Sequence, residues 1–250
     1  MSLVYMFAAS RMEGRPVERL IALQPAVNRA TLMITGMGPR NAEARARSVL
    51  GVDAANDLTA GITSKGPDAV MVIGLCGALS ASLGEAAIVA YTEVLSTQAG
   101  RPPLQCARDL RERIANLLAL NQVPCELRVG ITSSRIAVNR EEKLKLAQRG
   151  ASVVDMESYE ILSAAAEAGV PTAVVRVVSD SLNTQIPDFN HAFTAAGQFD
   201  TGKAARIAFR HPLQTSALLL ANRQAMKRLG EALEIVLQSE VFENPPLSSP

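Results

Sequence analysis

Tryptophan is absent from this 250-residue chain, and aromatic residues of every kind make up only 4% of it. The core is therefore expected to be assembled mainly from Ala, Val, Leu and Ile, within a hydrophobic fraction of 48%. Cysteine is scarce as well: Cys76, Cys106 and Cys125 are odd in number and lack paired spacing, which argues against a disulfide framework. The two histidines, His191 and His211, lie far from them in sequence, so no metal-ligand cluster is spelled out and no metal or cofactor is expected. A reduced, cytoplasmic setting fits this usage. Neither sign of charge predominates, with 25 basic against 24 acidic residues, so the chain has no electrostatic footprint for nucleic acid. Long apolar runs are missing too. The 16 uncharged residues between Asp68 and Glu85 are too few, and too rich in Gly and Ser, to span a membrane. The opening run LVYMFAA has no basic segment before it and reads as a first core strand rather than a signal peptide, so a soluble protein is expected.

What is present alternates regularly between apolar runs and helical patterns, which argues for one α/β domain over residues 1–243. Strands are expected at Leu3 to Ala9, Thr31 to Thr35, Asp68 to Ile73, Ala86 to Tyr91 and Glu126 to Ser133. Helices are expected at MEGRPVERLIAL, after Pro39 in GMGPRNAEARARSVL, at Asp109 to Leu120 and at Glu141 to Arg149. GLCGALS, after the third strand, reads as a glycine turn. The polar stretch SLNTQIPDFNHAF is long enough for a lid over a site. Two further helices are expected to break at His211-Pro212, and NPPLSSP at residues 244–250 reads as a disordered tail.

The chemistry is sought in VVDMESYEILSAAAEAGVPTAVVRVVSD, from Val153 to Asp180. This stretch reads as a strand end, a helix and a buried strand. It sets Glu157 at a strand-to-helix junction and delivers Ser179 and Asp180 at a strand end. Parallel strands in open α/β sheets converge on one crevice at their ends, so the two carboxylates can face one ligand there. Taken singly, Asp180 fits an Asx turn or helix cap, and Glu157 and Glu13 fit first-turn helix acids. Gly36, Gly38, Gly74 and Gly77 allow close backbone approach to a ligand, although turns alone would explain them. GMG lacks the spacing of a dinucleotide fingerprint or a P-loop.

Glu13, TGMGPRNA, VIGLCGAL, VVDMES and VPTAVVRVVSD, in that order, resemble the nucleoside phosphorylase and nucleosidase superfamily. That superfamily includes purine nucleoside phosphorylase and methylthioadenosine/S-adenosylhomocysteine nucleosidase. The likeness runs over roughly the first three-quarters of the chain, each motif being weak alone and the ordered set fairly specific. The resemblance implies a three-layer α/β/α fold with a mixed central sheet, carrying its site at the strand ends, in a homo-oligomer. It implies Asp180, beside Ser179, as the residue that protonates or hydrogen-bonds N7 of a purine. It also implies Met156 and Glu157 against the ribose, Glu13 on the attacking water and Gly77 close to the ligand. In ITSSRIAV no aromatic residue is present to stack on a base, and Ile136, Ala137 and Val138 are left to wall it.

Departures from the pattern bear on the nucleophile. The phosphorylases place Arg at Val72 and Ser at Leu75 to contact phosphate, and neither residue type is present. Hydrolysis of an adenosine-like nucleoside is therefore the leading expectation. Phosphorolysis, with phosphate as partner, and a catalytically weak nucleoside-binding protein are the alternatives.

PDFNHAF and HPLQTSALLLANRQAMKRL are similar to a bacterial branch of the superfamily, some members of which are associated with hopanoid lipid synthesis. From Thr201 to Gly230 there are six basic residues and no acidic one. A core-packed or subunit-facing helix with a solvated basic face is the favoured reading, ahead of peripheral contact with an anionic membrane.

Overall fold

The computed structural model describes residues 2–23, 29–53, 66–194 and 197–243. Its strands are β1 (Leu3–Ala8), β2 (Arg29–Ile34), β3 (Ala69–Ala78), β4 (Ile88–Ser96), β5 (Leu104–Gln105), β6 (Cys125–Thr132), β7 (Val153–Asp155) and β8 (Thr172–Asp180). Its helices are α1 (Arg11–Leu23), α2 (Pro39–Leu50), α3 (Arg108–Leu120), α4 (Arg140–Ala147), α5 (Ser158–Glu167), α6 (Thr201–Arg210) and α7 (Pro212–Leu237). The 244–250 segment expected to be disordered lies outside the described residues.

Central place goes to β8, whose nine residues are all buried, in keeping with the largely apolar run TAVVRVV, interrupted only by Thr172 and Arg176, when both faces are covered. It pairs parallel to β3 and antiparallel to β4. β4 continues parallel to β6 and β6 parallel to β7, which returns antiparallel to β3 at Gly77 and Ala78. The mixed sheet thus closes on itself through β3, β8, β4, β6 and β7, with β1 and β2 extending from β3 and β5 from β4. This return explains one departure from the sequence reading. GLCGA does not turn after Ile73 but stays in β3 to Ala78, because β8 pairs along it and β7 closes on its last two residues.

Helices cover both faces, as a three-layer architecture requires. On one side α1, α3 and α7 bury Val17, Ile114, Leu118, Leu229 and Leu233 against Met6, Met71, Ile73, Val175 and Val177. On the other, α2 and α5 bury Ala42, Ala46, Ile161 and Leu162 against Phe7, Val70, Val72, Val174 and Val178. Local chemistry sets the helix ends. Pro39 stands in the first turn of α2, Gly51 closes it in a left-handed conformation, and Asn139 caps α4 by accepting from the Glu142 N–H.

The break at His211-Pro212 is present. The core-packed reading of the basic C-terminal segment holds only from Ala221 onward. α6 buries none of its residues, and Phe209, Leu213, Leu219 and Leu220 are exposed. Among the described residues no helix is long and apolar enough to cross a membrane.

Candidate active site

A cavity of about 550 Å³ opens beyond the C-terminal ends of β1, β3, β7 and β8. Glu13, Met156, Glu157, Gly77, Ser179 and Asp180 all line it, so six of the seven residues singled out from sequence converge there. Val138 does not. Its N–H donates to Glu142 Oε2 and its carbonyl accepts from Ile186 N, which fixes it in the approach to α4 while Ile136 and Ala137 form the wall.

Arg176 organises the floor of the cavity. It sits in the middle of β8, 1% exposed, at a position whose neighbours Val174 and Val178 pack under α2 and α5. Its guanidinium lies 3.5 Å from Glu157, 3.8 Å from Asp155 and 4.0 Å from Glu13, and it donates to Ser158 Oγ and the Leu75 carbonyl. Burying one charge without compensation costs several kcal/mol, so a strand interior tolerates Arg only with such partners. Gly74 makes room for the group. A Cβ there would lie 2.5 Å from Glu13 Oε1 and 2.6 Å from Arg176 Nη1, and its φ of +141° is one that L side chains rarely adopt.

Each carboxylate around Arg176 is held differently. Asp155 Oδ1 accepts from Glu157 N, Ser158 N and Thr132 Oγ1, and so caps α5. That leaves the Glu157 side chain free of capping, and it reaches across to accept from Gly38 N at 2.9 Å. Glu13 combines two readings that the sequence left open. Its Oε2 accepts from Ser10 N while Ser10 Oγ accepts from Glu13 N, a reciprocal cap at the start of α1. Its Oε1 turns inward to accept from Leu75 N at 2.9 Å, at the cavity.

Burial pushes the Glu157 carboxyl up from its ordinary 4.5 to about 7, against the lowering influence of Arg176 and Gly38 N, with Asp155 and Glu13 adding to the rise. Because the folded-state value is raised, this group's contribution to stability is complete below 4.5 and is lost as pH climbs through about 7. The rise amounts to about 3 kcal/mol at about 1.4 kcal/mol for each pH unit. Glu157→Gln is therefore expected to melt at a higher temperature than the parent at pH 8, with the gap closing towards pH 4.5. Thermal melts across that range check it, and equal melting at pH 8 would refute it.

Asp180 is set by a bulge. β3 and β8 pair in register from Val70–Thr172 to Cys76–Val178, then slip so that Gly77 faces Asp180. A Cβ on Gly77 would come within 3.1 Å of Asp180 Oδ2, so the missing side chain leaves the carboxylate its place. Lys143 Nζ donates to Oδ2 at 2.5 Å. The single hydroxyl proton of Ser179 has two acceptors in reach, Asp180 Oδ1 at 2.7 Å and the Cys76 carbonyl at 3.1 Å.

The outer part of the cavity is apolar, walled by Met12, Phe189, Phe199, Ala208, Leu218 and Leu219. At this point the stretch read as a lid is hydrogen-bonded into the cavity wall. Asn190 accepts from Ile136 N and donates to the Ile136 carbonyl, and a 3-10 turn at Phe189–Ala192 carries Phe189 into the lining. Val72, where the phosphorylase pattern has Arg, is packed among apolar residues under α2 and α5, whereas Leu75 lines the cavity. Among the described residues no three His, Cys, Asp or Glu side chains are grouped to hold a metal ion.

Sequence reasoning passed over Arg176, Asp155 and Lys143. A charged residue inside the run VVRVV was the available signal for the first, and nothing in REEKLKL distinguishes the buried lysine from its solvated neighbour Lys145.

Solved structures of other proteins share this fold. Futalosine hydrolase of Helicobacter pylori superposes with a TM-score of 0.69 at 12% identity, over 94% of this chain and 97% of the other. The 5′-methylthioadenosine/S-adenosylhomocysteine nucleosidase of Neisseria meningitidis, solved with methylthio-immucillin-A, gives 0.69 at 14%, over 95% and 99%. S-adenosylhomocysteine nucleosidase of Streptococcus pyogenes, solved with 5-methylthiotubericidin, gives 0.67 at 15%, over 95% and 96%. A search of curated proteins returned no match. The family model for the phosphorylase superfamily matches residues 14–208, most of the chain and nearly all of the cavity's polar floor, and the chain belongs to that superfamily.

Proposed function

We propose that this protein hydrolyses the N-glycosidic bond of an adenosine-like purine nucleoside. The observation that carries the choice of water is the charge around Arg176. One guanidinium is shared among Glu13, Asp155 and Glu157, and a phosphate placed beside them would meet an excess of carboxylate. Phosphate also lacks the Arg and hydroxyl that Val72 and Leu75 replace. Water needs less, and Glu13 Oε1 at the cavity surface can orient it and accept its proton.

The remaining roles follow from placement. Glu157, ionised, accepts from the ribose hydroxyls and offsets positive charge developing on the sugar, and Met156 packs against the ring. Asp180 faces N7 of the base, between the walls of Ile136 and Ala137. The apolar outer cavity suits an apolar 5′ substituent, in keeping with the nucleoside-like ligands bound to the N. meningitidis and S. pyogenes nucleosidases. Burial pushes the thiols of Cys106 and Cys125 up to about 12, inert groups that fit a reducing, cytoplasmic setting.

Incubation with adenosine and 5′-methylthioadenosine, with and without phosphate, tests the reading. Free base and free ribose sugar are expected in both conditions. Base release only with phosphate, yielding a ribose 1-phosphate, would overturn hydrolysis, and thermal stabilisation by nucleoside without any base release would overturn catalysis. Glu13→Gln is expected to slow hydrolysis by about 100-fold while nucleoside binding holds. The value of about 7 for Glu157 sets the acid side of the profile: kcat/KM is expected to climb about tenfold per pH unit below 7 and level off above it. A flat profile from pH 5 to 8 would remove Glu157 as the ionised ribose partner.

A further inference from the structure

Lys143 is the buried residue of α4, a helix whose other side chains are partly or fully exposed. It is 0% exposed, and its three N–H donors meet three acceptors: Asp180 Oδ2 at 2.5 Å, the Ser181 carbonyl at 2.6 Å and the Thr184 carbonyl at 3.2 Å. This is the full complement of an ammonium group. Lys143 does not line the cavity, whereas Asp180 does, so Asp180 stands between the buried cation and the ligand space. Other charges close by include the Glu85 carboxylate, which accepts from Thr184 Oγ1, Glu142, whose Oε2 accepts from Val138 N at the foot of α4, Arg140, which donates to Asn183, and Arg135, which lines the cavity with Asp180.

An Asp180 paired with an ammonium is a carboxylate, and a carboxylate has no proton to give to N7 of a departing base. Its partner has one. We propose that Lys143 is the proton source for the leaving base and acts through Asp180. The inference rests on the reading of Asp180 as the base-side residue.

The step balances. As the C1′–N9 bond breaks, its electron pair passes into the purine. N7 takes a proton from Asp180, and Asp180 takes one from Lys143 Nζ, which becomes an amine. Water adds to C1′ and gives its proton to Glu13; Glu13 then releases that proton to solvent, and one is returned from the cavity through Asp180 to Lys143, which restores every group. The proton enters at Oδ2, the oxygen that Lys143 meets, while Oδ1 stays the acceptor for Ser179 Oγ.

The test compares a leaving group that needs a proton with one that does not. Wild type, Lys143→Met and Lys143→Arg are assayed on adenosine, or on 5′-methylthioadenosine if that is the better substrate, and on 4-nitrophenyl β-D-ribofuranoside, whose phenolate departs unaided. Both variants are expected to lose about 100-fold or more in kcat on the nucleoside and less than about fivefold on the nitrophenyl riboside. Arginine keeps the cation but does not release its proton, so it separates proton supply from charge alone. A parallel loss on both substrates, or a Lys143→Arg enzyme with wild-type nucleoside turnover, would refute the relay. If Lys143→Met does not fold, Lys143→Arg decides, and if neither folds the arbiter is a wild-type solvent isotope effect. A value well above one on the nucleoside and near one on the riboside supports the relay, and equal values refute it. Failure of wild type to release base from any purine nucleoside would sink the proposed function instead.

Discussion

Asp180→Asn is expected to lower kcat for nucleoside cleavage by about 10²- to 10⁴-fold while changing the dissociation constant of the substrate only a few-fold. The substitution conserves shape, so Gly77 and the bulge have no steric reason to move, but the single amide oxygen serves only one of the two donors, Ser179 and Lys143, that now meet separate oxygens of Asp180. What is lost is the ability to pass a proton, and that matters only as the base departs with the electron pair of its bond to the sugar. An interaction made in the transition state alone shows in kcat rather than in binding. The amide also leaves Lys143 as a buried cation without its counter-charge, so some loss of thermal stability is expected. Turnover is therefore to be compared at a temperature where circular dichroism shows the variant folded. Near-normal turnover under those conditions would remove Asp180 from the chemistry. On the nitrophenyl riboside the same variant should stay close to wild type, so one protein supplies both measurement and control.

Much of this site was legible because the sequence carries it as short local motifs at strand ends. The apolar pattern of VVDME and VVRVVSD sets Glu157 and Asp180 at element ends, and the resemblance of the ordered motifs, not periodicity, implied that they belong to the site. The S-x-x-E spacing of Ser10 and Glu13, a capping-box signature, was passed over although it was there to be read. Its inward half was not, because the bond from Leu75 N to Glu13 depends on how α1 lies against β3. The extension of β3 through two glycines was hidden for a similar reason. Gly74 and Gly77 signal a turn locally, and only the pairing of β7 and β8 along the same stretch, a long-range fact, keeps it in the sheet. Lys143 was out of reach on the same grounds, since a lysine in a charged helix reads as solvated until Asp180 and two carbonyls, 37 to 41 residues away, surround it.

Arg176→Met is expected to be the most destabilising single change at the site, and its effect should depend on pH. The methionine fills part of the same volume, in a strand whose neighbours are apolar, so packing alone argues for a small loss. The charges argue otherwise. Without the guanidinium, Glu13, Asp155 and Glu157 share a buried floor with no cation among them, and breaking such a set costs about 3–5 kcal/mol. Arg176 is also the strongest influence holding the Glu157 carboxyl down, so its loss lets that group rise above its present value of about 7. A carboxyl raised in the folded state stabilises below its ordinary value, and that contribution disappears as pH climbs through the folded one. The deficit of Arg176→Met relative to wild type should therefore be large at pH 8 and shrink towards pH 5, where the orphaned carboxyls take up protons. Denaturant melts at the two pH values measure it. Equal deficits would show that Arg176 serves packing only, and that the charge balance invoked here against phosphate is not what the arginine maintains.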